Sequence, residues 1–487
     1  MSDEIKNLEP KIIWEHFYSL TQIPRPSKKE EAVRAFMKKF GQDLGLETIE
    51  DEVGNIIIRK PATKGYEDRK GVVLQGHLDM VPQANSDSNH DWEKDPIDAF
   101  VDGDWVTAKG TTLGADNGMG VAAAMAVLSS TDIEHGPVEG LFTVDEEAGM
   151  TGANALKPGI LKGDILLNMD SEDEGELYVG CAGGEDANIT FTFDNDKYPA
   201  DYKAFKLSIT GLKGGHSGMD IPLGRGNANK ILFRLMNKTQ KEFGVRMADI
   251  NGGSLRNAIP REAFAVIAIP SAAEKQFKEY IAEFEGIVKN ELSAVDPGVS
   301  IKLEPTDAPK FVIDQKTQEN LTDAIMAVPN GVIRMSDAMP GLVETSTNLA
   351  VVKTIEGNKI IAQCLMRSSV DSAKEELAER MVSTFRLAGA QVERSGAYPG
   401  WKPNMDSEIL KVMQKSYKDK WGKTPEIKAI HAGLECGILG SAYPHWDMIS
   451  YGPTIRFPHS PDEKVNIATV EKFWQWTLET LKSIPKK

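Results

Sequence analysis

Cysteine is almost missing from this chain: Cys181, Cys364 and Cys436 are the only three, far apart and odd in number. That argues against a disulfide framework and, with no Cys-x-x-Cys pair, against a thiolate metal site. Positive charge is short as well. Lys and Arg number 56 against 72 Asp and Glu, a net charge of −16, so neither nucleic acid nor an anionic membrane is an expected partner, since both call for a basic face. No apolar stretch nears the length of a membrane span, and Met1-Ser2-Asp3-Glu4-Ile5-Lys6 lacks the basic start and apolar core of a signal peptide. A cytoplasmic location is the expectation. What is present, 41% hydrophobic and 26% charged residues, is soluble globular composition. A length of 487 residues exceeds one ordinary core, which predicts at least two domains.

Apolar runs repeatedly end in residues that can bind a metal. Gly71 to Leu74 leads into Gln75-Gly76-His77-Leu78-Asp79, and residues two apart in an extended segment point the same way, so Asp79 can orient His77. Thr112-Leu113-Gly114-Ala115-Asp116-Asn117-Gly118 places Asp116 just before a small-residue helix around Val121 to Val127, where an N-cap is its plainer role. Leu141 to Val144 runs into Asp145-Glu146-Glu147, carboxylates that repel unless solvated, protonated or gathered around a cation. Ile165 to Met169 ends at Asp170. Each has a bland explanation alone, as a cap or a solvated turn. Their recurrence at strand ends, where ligands of open α/β sheets gather, is harder to dismiss. Late in the chain, Pro458-His459-Ser460-Pro461 fixes a histidine between prolines, a placement suited to ligation.

The flanking segments supply a frame. Pro10 reads as an early residue of a first helix bearing Ile12, Ile13, Phe17 and Leu20, and Ser27-Lys28-Lys29-Glu30 has capping-box spacing before a second helix that Gly45 closes. Residues 47–60 read as a hairpin turning at Val53-Gly54-Asn55. From 186 to 401 the pattern is a split βαβ layer over 186–305 that 306–401 repeats loosely. The prediction is an α/β catalytic domain over 1–185 and 402–487 with a mixed central sheet, and an inserted α+β lid domain over 186–401 of duplicated ferredoxin-like βαβ repeats. In that lid, Gly214-Gly215-His216-Ser217-Gly218 is no Gly-x-Ser-x-Gly elbow; it suggests a mobile histidine placed against a ligand, or a simple turn.

His77, Asp116, Glu147, Asp170 and His459 together offer imidazole and carboxylate without thiolate. That set suits two divalent ions such as Zn2+, Mn2+ or Co2+, one carboxylate bridging, which activate a shared water. Glu146, beside a ligand, fits the general base.

These motifs, in this order and with Gly214 to Gly218 and His459-Ser460-Pro461-Asp462-Glu463, resemble the M20 metallopeptidases. His77-Leu78-Asp79-Met80-Val81-Pro82-Gln83, Arg225-Gly226-Asn227-Ala228-Asn229-Lys230 and His431-Ala432-Gly433-Leu434-Glu435-Cys436-Gly437 look like its aminoacyl-histidine dipeptidase branch, and the similarity spans nearly the whole chain. The resemblance implies a zinc-exopeptidase-like catalytic domain. It implies His77 and Asp170 on one ion, Glu147 and His459 on the other, Asp116 bridging, Asp79 orienting and Glu146 as base to a metal-bridging water. Two Zn2+ are the expected cofactors, with Co2+ or Mn2+ as alternatives. The implied substrates are unblocked dipeptides, Xaa-His among them. In the lid, His216 resembles the residue that polarises the scissile carbonyl, and Asn257, Arg367 and Glu435 are expected to bind substrate. The family's later lid arginine is absent where the first repeat reads Ala268-Ile269-Pro270, which leaves Arg367 as the carboxylate grip. Both lid groups then come from one chain, and a homodimer is permitted rather than required. An aminotripeptidase, a carboxypeptidase and an N-acyl amino acid deacylase share the metal chemistry and differ in the lid. A binding module with a relic site would be expected to lack a ligand or the base, and this chain has both.

Overall fold

The computed structural model describes residues 2–487. Two compact units emerge: Met1–Gly180 with Pro403–Ala429 and Leu434–Lys487, and Cys181–Lys402 with Ile430–Gly433.

The first unit is built on an eight-stranded mixed sheet. At its centre Val72–His77 runs parallel to both Val138–Thr143 and Ile165–Asn168, and Asp447–Ser450 runs parallel to the last of these. Every residue of the first three strands is buried, which is why they read as continuous apolar runs rather than alternating ones. The hairpin of Glu47–Glu50 and Ile56–Lys60 adds antiparallel strands beside Val138–Thr143. Asp51 shapes its turn, one carboxylate oxygen accepting the amides of Val53, Gly54 and Asn55.

Helix Ala115–Ser129 is buried along nearly its whole length. Its small residues let it lie directly on the sheet: a Cβ on Gly76 would stand 2.3 Å from Asn117 Oδ1. The carboxyl-terminal ends of three central parallel strands and this helix start therefore lie at the same end of the sheet.

Local expectations fail at two helix starts. Pro10 is the N-cap of Lys11–Thr21, outside the helix. The capping box at Ser27 is not formed: the helix begins at Glu31 without a side-chain cap, Ser27 Oγ donates to Asp79 Oδ2 at 2.9 Å, and Glu30 accepts the amides of Lys28 and Asp145. A stronger acceptor elsewhere in the fold has taken the serine.

The second unit is a nine-stranded sheet holding two four-stranded groups. One comprises Tyr202–Thr210, Arg246–Gly252, Ala263–Pro270 and Ser300–Pro305; the other comprises Gly183–Thr192, Val343–Ile355, Lys359–Ser368 and Gln391–Tyr398. Both have the spatial order fourth, first, third, second, and they join where Arg246–Gly252 pairs with Val343–Ile355. Gly183–Thr192 thus pairs with Lys359–Ser368 and Gln391–Tyr398. This corrects the tandem boundaries 186–305 and 306–401, because the first group is nested inside the second. Residues 430–433, expected in the catalytic part, also belong to this unit.

No described helix is long and apolar enough to cross a membrane.

Candidate active site

His77 ends its strand fully buried, with Nδ1 3.1 Å from the Asp79 carbonyl oxygen and 3.4 Å from Asp79 Oδ1. With Nδ1 donating there, Nε2 is the nitrogen left to face a ligand. It lies 3.2 Å from Asp116 Oδ1 and 3.3 Å from Asp170 Oδ1. On the other side, His459 Nε2 lies 3.1 Å from Asp116 Oδ2 and 3.0 Å from Glu147 Oε2. Asp116 therefore turns one oxygen to each histidine. The sets His77, Asp116, Asp170 and Asp116, Glu147, His459 each bring three ligand-type atoms within 4.8 Å of one another.

Asp116 is freed for this by its backbone. Gly114, with φ 73°, takes the N-cap position, and Asp116 and Asn117 have non-helical φ and ψ. The cap role expected for Asp116 is thus overturned. Past Thr143, Asp145 at φ 53° turns the chain into the single helical turn Glu146–Gly149. The amides of Glu146 and Glu147 donate to Asp79 Oδ1 and Oδ2 at 3.0 and 3.2 Å. Asp79 so fixes both the imidazole before it and the two glutamates after it.

The donor set fits cations. Asp170 Oδ1 and Glu147 Oε1 are buried without a hydrogen bond, and Asp170 Oδ1 nears His77 Nε2 without hydrogen-bond alignment. Buried polar oxygens of native proteins rarely go unpartnered, and imidazole with carboxylate suits Zn2+, Co2+ or Mn2+. Charge points the same way. Burial works against a charged His77, yet Asp170, Asp116 and Asp79 push its pKa well above the ordinary value. Hydrogen bonds to Asp116 and Glu147 push His459 up to about 11. Burial raises the Asp170 carboxyl to about 6. Protons on two imidazoles here stand in for the positive charge that the carboxylates demand. Glu146, whose carboxylate lies within 4.8 Å of ligand-type atoms of His77 and Glu147, has its carboxyl raised well above the usual range by burial and then by the charges of Asp170, Glu435 and Glu147.

In the second unit, Gly215–His216 pairs with Ala258–Ile259, and Ser217 N donates to the Asn257 carbonyl at 2.8 Å. His216 Nδ1 accepts the amides of Gly218 and Met219 at 3.2 and 3.0 Å. That fixes the tautomer with the proton on Nε2. Burial and the charge of Arg367 lower the pKa of His216, so it is a neutral donor. Arg367 is buried, with Nε 3.4 Å from Ser217 Oγ and a second nitrogen 3.0 Å from Tyr398 Oη. No carboxylate among the described residues forms an ion pair with it.

The sequence profile of Peptidase family M20/M25/M40 matches residues 73–483. The chain belongs to this family. It is 47% identical to the cytosol non-specific dipeptidase of Escherichia coli (strain K12), over 99% of this chain and 100% of that protein. The aminoacylhistidine dipeptidase of Vibrio alginolyticus superposes with a TM-score of 0.95 at 49% identity, all of both chains being covered. The aminopeptidase PepT of Bacillus cereus ATCC 10987 shares the fold alone, with a TM-score of 0.58 and 17% identity over 98% of this chain and 99% of that one.

This M20 peptidase also holds site residues that the linear reading passed over or placed differently. Glu435, expected at the substrate, is fully buried; its Oε2 accepts from Gln75 Nε2 at 2.6 Å and Thr143 Oγ1 at 2.9 Å, and its Oε1 is unpartnered. Gln75 in turn accepts from Asn168, so a polar layer runs under His77 and Asp170, two residues back along each strand. His431 is a second buried lid histidine, 2.7 Å from Ser346 Oγ and pushed down to about 3 by burial and by Arg367 and His216. Asn257 is exposed. Gln75 was legible as a polar residue inside an apolar run; His431 had only its motif.

Proposed function

We propose that this chain is a cytoplasmic dipeptidase that hydrolyses unblocked dipeptides, Xaa-His among them, with two Zn2+ as its cofactors. The observation that carries the reading is the Asp116 carboxylate facing His77 with one oxygen and His459 with the other, a bridge between two three-atom ligand sets. Full-length similarity to a protein named cytosol non-specific dipeptidase supports the substrate class and the compartment.

His77 and Asp170 would hold one ion, Glu147 and His459 the other, with Asp116 shared. Bound there, two divalent ions supply Lewis acidity that brings a water's pKa toward neutrality and attracts charge developing on a carbonyl oxygen. Everything else falls to the side chains. Glu146 takes the water's proton and passes it to the leaving amine, the work of a positioned carboxylate general base. Asp79 keeps Nδ1 of His77 as the donor and both glutamate amides in place. His216 offers its Nε2 proton to the oxyanion, a neutral donor stabilising charge that exists only in the transition state. Arg367, without a carboxylate of its own, takes the substrate's terminal carboxylate. One unit presents both His216 and Arg367.

The deciding experiment assays Xaa-His dipeptides, tripeptides and N-acetyl amino acids side by side, with Glu146→Ala as control. The expected result is dipeptide hydrolysis that the substitution lowers by about 10²–10⁴-fold while two ions per chain are retained. Faster turnover of tripeptides or N-acetyl amino acids would move the chain to a neighbouring activity. Wild-type rates in Glu146→Ala would refute the mechanism.

A further inference from the structure

Arg25 has no part in the chemistry above, yet it lies buried beneath it, only 2% exposed. Its guanidinium has no carboxylate partner among the described residues. It donates instead to three backbone carbonyls, Leu78 and Asp79 at 3.0 Å each and Gly114 at 2.5 Å. Two of these directly follow His77 at the strand end, and the third lies two residues before Asp116 at the helix start. The same short segment grips its surroundings by backbone as well. Met80 N donates to the Arg25 carbonyl at 3.1 Å, and Ser27 N to the Met80 carbonyl at 3.3 Å.

Gly114 is held from its other side by Glu463. That buried carboxylate accepts the amides of Leu113 and Gly114 at 2.8 and 2.9 Å through one oxygen, and the amide of Asp116 at 3.1 Å through the other. A cation on the carbonyls and an anion on the amides thus clamp one stretch of backbone. Gly114 is a glycine for this reason: φ is 73°, and a Cβ would meet the guanidinium at 2.6 Å and Met80 Sδ at 2.8 Å. Lysine could not do the same work, because a point charge on a flexible stem cannot span three carbonyls in a fixed plane.

We propose that Arg25 is a positioning residue for the metal centre: by tying the Leu78, Asp79 and Gly114 carbonyls together it sets the spacing between His77 and Asp116, and so the affinity of the ion held by His77, Asp116 and Asp170. The proposal rests on the di-metal reading above. Partners of this kind, one step removed from the ligands, typically change metal affinity by about 10–100-fold.

The test uses full-length protein stripped of metal and titrated with Zn2+ against a chromophoric chelator, comparing wild type, Arg25→Met, Arg25→Lys and Arg59→Met. Arg59 pairs with Glu47 and Glu139 on other strands of the same sheet and serves as a control for lost stability alone. Circular dichroism of each metal-free protein establishes that it is folded. Expected are two ions per wild-type chain, one of the two sites weakened about 10–100-fold in Arg25→Met, a smaller weakening of the same site in Arg25→Lys, and no change in Arg59→Met. Should Arg25→Met not fold, Arg25→Lys decides. Two sites of wild-type affinity in a folded Arg25 variant overturn the proposal, as does equal weakening of both sites in the Arg59 control. A wild type that binds no ion removes the di-metal reading and the proposal with it, an outcome distinct from the others.

Discussion

The candidate metal site of the first unit and the lid residues of the second use histidine in opposite ways. In the first, His77 and His459 stand among carboxylates and are driven toward the charged form, His459 to about 11. In the second, His216 and His431 lie near Arg367 and are driven toward the neutral form, His431 to about 3. The side chain is the same; burial disfavours the charged form of all four, and the carboxylates around His77 and His459 overcome it, whereas Arg367 adds to it at His216 and His431. A ligand must give up a proton to a cation, whereas a donor must keep one proton at a known nitrogen. Each pair is arranged for one of those needs.

The sharpest way to break this contrast is at Asp116, which serves both His77 and His459. Asp116→Asn is expected to lower metal content from two ions per chain toward none and to reduce peptide hydrolysis to the blank, as measured by elemental analysis and turnover on one preparation. Retention of two ions would show that the histidines do not depend on the shared carboxylate. In the second unit, Arg367→Met should raise KM for a free dipeptide by about 10–100-fold, the equivalent of roughly 1.5–3 kcal/mol for a hydrogen bond to a charged group, with metal content unchanged. The penalty should vanish for the same dipeptide amidated at its C-terminus. A third experiment reads the histidine charge itself. Because His77 and His459 have raised pKa values in the metal-free protein, they carry protons at neutral pH that divalent ions must displace. Zn2+ uptake in weak buffer should therefore release protons, and affinity should fall as pH is lowered. Uptake without proton release would refute the charged state of these histidines. The smallest effect is expected from Ser27→Ala, which removes one of the bonds to Asp79 and should cost about 1 kcal/mol of stability, seen as a lower Tm with Glu146 chemistry intact.

How legible these features were in the sequence followed from how local their causes are. The buried parallel strands announce themselves as unbroken apolar runs, and His77 and Asp170 stand at or just beyond their ends. The hairpin of residues 47–60 is equally local, since Asp51 makes the turn within five residues. Ser27 misled because capping-box spacing is a local signal, while its true acceptor, Asp79, lies 52 residues on. Arg25 gave no signal at all, as an arginine that binds three carbonyls has no periodicity or partner to reveal it. Glu463 stood in a quoted motif but without a role. The nesting of the second unit was hidden for a related reason: Gly183–Thr192 looks the same whichever edge it joins, and the choice is made by strands far downstream.

That nesting sets an order of events. Thr192 is paired with Lys359, and Gly183 with Ser368, so the strand leaves the ribosome at least 167 residues before the one it must meet. At about 5–20 residues per second, the wait is roughly ten to thirty seconds. The inner group suffers no such delay, because its four strands, between Tyr202 and Pro305, follow one another in the chain. It can close while the outer strand still lacks neighbours, and its strand Arg246–Gly252 then offers the edge on which Val343–Ile355 docks. The inserted group is complete in the chain first and offers the edge for Val343–Ile355, whereas Gly183–Thr192 meets its own partners, Lys359–Ser368 and Gln391–Tyr398, only beyond that strand.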